Sequence, residues 1–259
     1  MIKVDGIILV LSCQKHLNTR LKEFKLPKDN YDNWKVIYVI GDLFLDCDYK
    51  IDGNFMTIKC EDSYIHLLKK LVLALKYVYQ LYDIKEGVLR SGDDLIFNEE
   101  RLTSFLSLQN KFDFFGGSPS QKSLLEIDIT PELLKKTVHD NFMVNYYLSH
   151  PEDFDNPQHN LKGVSISQYT KRPQIEIGPA GILYYISNKA CNILINQLEK
   201  IKYNIFHYDE FSNSYPYTIE DCAVCFILYL HKISFINSDK IHSEYPSNKV
   251  IAHHTNKYK

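Results

Sequence analysis

GVLRSGDDLIF, residues 87–97, decides how this chain is read. Its apolar opening has the character of a buried strand. That strand delivers two adjacent carboxylates, Asp93 and Asp94, at its carboxyl end. In open α/β sheets ligands bind beyond that end of the strands. Hard oxygen donors there suit Mg²⁺ or Mn²⁺, with phosphate oxygens and water filling the remaining positions. The same four residues, SGDD, also fit a turn whose aspartates bond their own backbone.

Working outward, the first half alternates strand and helix signals, which predicts an α/β fold with a mainly parallel sheet flanked by helices. GIILVLS (6–12) and KVIYVI (35–40) are continuous apolar runs of the interior-strand kind, and FMTIK (55–59) is a third candidate. In EDSYIHLLKKLVLALKYVYQLYD, Asp62 is placed to cap a helix, and Tyr64, Leu68, Leu71, Leu75, Val78 and Tyr79 recur on one face of it. Asn98 opens a short helix after the acidic pair. Residues 118–174 are polar, aromatic and turn-rich, as binding loops are. Order returns with IEIGPAGILYYIS, a helix capped by Ser187, and an apolar helix from about Thr218. One domain spanning 1–259 is expected, with halves of about 1–117 and about 118–259.

Composition excludes some classes. The chain has 45% hydrophobic and 24% charged residues, an ordinary globular balance with a sizeable core. Thirty Lys and Arg give a net charge of −2 and are spread thinly, so no basic channel for a nucleic acid forms. A polymerase reading of GDD also fails because no second aspartate block precedes it to hold another metal. MIKVDGIILVLSCQK is too short in its apolar run for a signal peptide or membrane span, so a cytoplasmic protein is expected. The six cysteines form no disulfide framework, and Cys222-x-x-Cys225 reads as core packing on a helix.

Two further groups carry possible chemistry. Glu220 and Asp221 open the late helix. A carboxylate there can serve as a general base, while Thr218-x-x-Asp221 equally fits a capping box. His253 and His254 in the tail are imidazoles able to ligate a metal or simply to be solvated.

In order along the chain, these blocks resemble glycosyltransferase family 31, the β-1,3-galactosyl- and N-acetylglucosaminyltransferases and the Fringe proteins. EDSYIHLLKK is similar to the family's D-S-Y-x-N-L-T-x-K-T helix at Asp62, Ser63, Tyr64, Leu67 and Lys70. GVLRSGDDLIFNEERL is similar to L-K-T-D-D-D-V-F-V-N, with Gly92 in place of the first acid. GILYYIS matches G-x-G-Y-V-L-S at Gly181, Tyr184 and Ser187, and IEDCAV matches the E-D-V block. The opening VLSCQKHLNTR is similar to the family's first strand and its downstream arginine, here Arg20.

The resemblance implies a GT-A type, Rossmann-like fold and an inverting, metal-dependent transfer of a hexose or N-acetylhexosamine. The sugar would pass from a UDP-sugar to a hydroxyl of a glycan acceptor, forming a β-1,3 linkage. It assigns Asp221 as the base. Ser12, Arg20, Asp62, Tyr64, Lys70, Arg90, Asp93 and Asp94 fall to the donor site, with Tyr64 and Lys70 as structural supports. Gly178, Gly181 and Glu220 fall to the sugar pocket, and Asp94 with His253 or His254 to Mn²⁺ or Mg²⁺. No nucleic acid or membrane partner is implied. The loss of the first acid at Gly92 keeps a rival open, a catalytically inactive nucleotide-sugar or glycan-binding module.

Overall fold

A computed structural model of the chain describes residues 1–24, 26, 28, 30–108, 111–118, 133, 136–199 and 219–255. The apolar runs form the middle of one large sheet. Its strands from the first half are β1 (Ile2–Leu11), β2 (Asn30–Tyr31), β3 (Trp34–Gly41), β4 (Tyr49–Asp52), β5 (Phe55–Ile58) and β6 (Tyr82–Ser91). A short β7 (Leu95–Phe97) follows the acidic pair, and β8 (Phe114–Gly116) returns to the sheet. The second half contributes β9 (Thr137–His139), β10 (Lys171–Pro173), β11 (Leu183–Ser187), β12 (Phe235–Asn237), β13 (His242–Ser243) and β14 (Ala252–His254).

The main sheet runs β12-β8-β11-β6-β1-β3-β5-β4, with β2 beside β3. Following the pairings outward from β1, six of these eight path strands point the same way, and β11 and β4 are reversed. The expected mainly parallel α/β sheet is therefore present, and strands from both halves of the chain build it.

Alternation along each strand sorts the core into two layers. Ile7, Leu9, Val39 and Val88 face α2 (Leu67–Leu81), while Ile8, Val10, Val36 and Leu89 face the opposite side, where α3 (Glu99–Leu106) lies. Helices α5 (Asn188–Ile195) and α6 (Glu220–Leu230) join α2 on the first side. A satellite cluster of Ile65, Met143, Tyr147, Leu161 and Tyr169 sits beneath α4 (Asn141–Ser149) in the loop-rich region.

The caps at Asn98 and Ser187 form as expected, accepting from Arg101 N–H and Ala190 N–H. Two expectations are corrected. Helix α2 starts at Leu67 with His66 at its cap, so Asp62 does not cap it, and Tyr64 precedes the helix with 43% of its surface exposed. The long-range partners of Asp62, described below, outcompete the local cap. The late helix is capped at Ile219 without a side-chain bond, and Thr218 of the suggested capping box lies outside the described residues.

Candidate active site

The order of strands places the site. From β1 the chain passes to β3 and β5 on one side, then returns to the other side of β1 as β6. The crevice between the carboxyl ends of β1 and β6 is thus a topological switch point, where open α/β sheets bind ligands. Ser12 follows β1, Gly41 ends β3, and Asp93 follows β6.

Asp93 is buried there and heavily bonded. Its Oδ2 accepts from Ser12 Oγ at 2.6 Å and lies 2.7 Å from His16 Nδ1. Its Oδ1 lies 3.4 Å from Arg20 Nη1, on the short helix α1 (Arg20–Glu23). Burial opposes the charge of His16, but the hydrogen bond to Asp93 prevails, with help from Cys13, and raises the imidazole to about 9. Burial likewise opposes the charge of Asp93, yet His16, Ser12 and Arg20 hold its pKa below the usual value. Serine and histidine both bond to the same carboxylate, so this is not a nucleophile with its base.

Asp94 is different. A third of its side chain is exposed, and among the described residues the cation beside it is Arg20 at 3.7 Å. It can offer an oxygen to a hard cation that also holds substrate phosphates. Asp93 cannot do so without giving up its partners, and among the described residues no three His, Cys, Asp or Glu groups form a ready cage. The donor set fits a cation that arrives with a diphosphate, not one enclosed by protein alone.

Beneath this cluster, Asp62 ties strand ends together. It accepts from Gln14 N–H at 2.6 Å and Gly41 N–H at 2.8 Å, and it pairs with the buried Lys70 ammonium. Lys70 also donates to the Ser12 carbonyl at 2.8 Å. A buried ammonium is tolerated only when paired and hydrogen-bonded in this way, so Lys70 and Asp62 serve the crevice as a floor. Tyr64 lies two residues beyond Asp62, its ring 5.9 Å from that of Tyr146 and 6.3 Å from that of Phe142.

The second cluster surrounds Asp221. Its Oδ2 accepts from Gly181 N–H at 2.7 Å and its Oδ1 from Cys222 N–H at 2.7 Å. Burial pushes its pKa up, and these two donors restrain the rise. Below it, Arg90 donates to the Gly181 carbonyl and bonds Glu220 at 2.9 Å, while Tyr184 Oη donates to the other oxygen of Glu220. Burial, only partly offset by Arg90, raises Glu220 to about 7. Glu220 and Arg90 are thus buried against each other under the Gly181 peptide. Two glycines are needed for close approach. A Cβ at Gly178 would overlap Cys225 Sγ, and one at Gly181 would come within 3.1 Å of Asp221 Oδ2.

A two-residue segment joins the clusters. Gly181 holds Asp221, and the Ile182 carbonyl accepts from Gly92 N–H at 3.0 Å. On the far side, β14 pairs antiparallel with β7, and Thr255 N–H donates to the Asp94 carbonyl at 2.9 Å. The tail is therefore a paired strand beside Asp94. His254 Nδ1 lies 3.1 Å from Glu244, and His253 lines a shallow surface depression with Phe97 and Asn248. All six cysteines are free, and Cys225 is packed in the core. Sequence reasoning missed His16 and Gln14 at these positions. Their only signal was closeness to strand β1.

No protein-family model matches the chain, and no curated protein matches it in sequence. Among solved structures, apo mouse xyloside xylosyltransferase 1 aligns over 99% of both chains at 10% identity, with a TM-score of 0.39. A score of that size does not establish a shared fold, so the functional reading rests on the chain's own residues. Among the described residues no helix is long and apolar enough to cross a membrane.

Proposed function

We propose that the protein is a GT-A type glycosyltransferase. It would move a hexose or N-acetylhexosamine from a UDP-sugar to a hydroxyl of a glycan acceptor, with inversion and a β-1,3 linkage. The observation that carries this reading is the meeting of two unlike carboxylate centres at one switch-point crevice. Asp93 and Asp94 stand at the end of β6 among cations, and Asp221 is aimed by two backbone N–H groups one short segment away.

In this mechanism Asp221 accepts the proton of the acceptor hydroxyl as its oxygen attacks the anomeric carbon. The bond from that carbon to the diphosphate breaks on the opposite face. Arg90 and Glu220 hold the Gly181 peptide against Asp221, and Asp62 with Lys70 keeps the ends of β1 and β3 in place. Asp94 would hold Mn²⁺ or Mg²⁺, with His253 or His254, on the strand paired to β7, as a further ligand. When bound, the cation neutralises the departing diphosphate.

The test is UDP release from a panel of UDP-sugars, with and without a glycan acceptor, in Mn²⁺ and in chelator. Release from at least one donor, accelerated by acceptor and suppressed by chelator, is expected. If no UDP-sugar is turned over or raises the melting temperature, the reading is wrong. A melting shift with no turnover would mark a binding module instead.

A further inference from the structure

We propose that His16 and Arg20, oriented by Asp93, grip the diphosphate of the donor, and that Asp93 is a positioning carboxylate and not a cation ligand. This deepens the proposed function and rests on it.

The geometry of Asp93 comes first. Its two oxygens are turned toward Ser12 and His16 on one side and Arg20 on the other. A cation approaching Asp93 would have to displace two protein cations that already neutralise it. Asp94, a third exposed and paired only with Arg20 at 3.7 Å among the described residues, presents a smaller barrier. Adjacent carboxylates at one strand end therefore do different work.

His16 comes second. It sits on the turn that leaves β1, over the switch point, with 22% of its side chain exposed. Nδ1 is committed to Asp93, and that contact fixes which way the ring faces. Nε2 is the second donor of this partly exposed ring. The imidazole is charged at neutral pH because its pKa is raised to about 9. Arg20 lies one turn further along, 25% exposed, and reaches toward both aspartates. Its guanidinium is the side chain best matched to phosphate oxygens.

Charge bookkeeping comes third. Asp93 and Asp94 are balanced by His16 and Arg20, so the empty crevice is close to neutral and is no trap for a bare cation. A diphosphate adds negative charge beside an imidazole and a guanidinium that are both partly exposed. A cation recruited through Asp94 then restores the balance.

The experiment is calorimetric titration of UDP, UMP and uridine into the full chain, in chelator and in Mn²⁺. His16→Gln and Arg20→Gln are compared with wild type after melting curves show both folded, as their partly exposed positions favour. Each variant should bind UDP about tenfold more weakly or worse in whichever buffer binding is seen. Uridine, which lacks phosphates, should bind all three proteins alike. Asp93→Asn should keep the gain in UDP affinity on adding Mn²⁺, and Asp94→Ala should lose it. Unchanged UDP affinity in His16→Gln and Arg20→Gln overturns the grip while leaving the glycosyltransferase reading intact. Loss of the Mn²⁺ effect in Asp93→Asn overturns the positioning role. If the wild type binds UDP in neither buffer, both the inference and the reading beneath it fall.

Discussion

The carboxylates on the two sides of Gly181 and Ile182 are held by opposite means. Asp93 is neutralised by side chains, His16 and Arg20, that reach in from a partly exposed turn and a four-residue helix. Asp221 is held by backbone N–H groups, and the charges near it, Arg90 and Glu220, are sealed beneath the surface. Side-chain partners can rearrange when a charged ligand enters, whereas the backbone donors cannot move without moving the segment before β11 or the helix α6. The first arrangement suits a site whose charge changes on binding. The second suits a base that must point one way throughout.

The comparison breaks most sharply at Asp221. Asp221→Asn keeps the shape, but its single amide oxygen can accept from only one of Gly181 and Cys222 N–H, and it cannot take a proton. Sugar transfer should fall by roughly 10²–10⁴-fold, with UDP affinity close to wild type. Stability should fall by about 1–3 kcal/mol for the donor left facing the amide nitrogen. Normal transfer by this variant would return Asp221 to a structural part and send the search for a base elsewhere.

Glu220 tests the sealed charges. Glu220→Leu leaves the buried Arg90 guanidinium and the Tyr184 hydroxyl without their acceptor, so it should lower stability by about 3–5 kcal/mol. Arg90→Met combined with it should recover much of that loss. The pH dependence carries the same signature. Glu220 titrates at about 7 in the folded protein and at 4.5 in the unfolded chain. The stability it contributes is therefore whole below pH 4.5 and is lost as pH rises through 7. Denaturant titrations of Glu220→Gln between pH 4.5 and 8 should show a flatter profile than wild type. An identical slope would mean that Glu220 does not titrate there.

The smallest effect sharpens the packing beside the base. Gly178→Ala drives a methyl group into Cys225 Sγ and should destabilise by about 1–3 kcal/mol. Cys225→Ala in the same chain should relieve part of it, read by melting temperature.

Much of the fold was legible because interior strands carry their own signal. The runs in β1, β3 and β6 are apolar on both faces and end at polar turns, and Asn98 and Ser187 bond donors three residues ahead. Edge strand β4 alternates between half-buried and exposed residues and carries no such run. Asp62 was misjudged because its environment is assembled from Gln14, Gly41 and Lys70. No window of local sequence contains that set. The pair at 93 and 94 was recognised as a site, but the division of labour within it depends on His16, 77 positions away. Glu220 and Arg90, expected at the sugar and the donor, lie beneath the Gly181 peptide. Their pairing across 130 positions is equally invisible to spacing.

The strand β14 has a consequence in time. Its pairing with β7, Ala252 opposite Phe97 and His254 opposite Leu95, closes about 155 residues of chain. Contacts of such long sequence separation form late, because the ends must be brought together before any bond rewards them. The central parallel strands, by contrast, all lie within the first 91 residues. The central strands of the crevice are thus present in the nascent chain long before β14, which flanks Asp94 on the β7 side, has been synthesised.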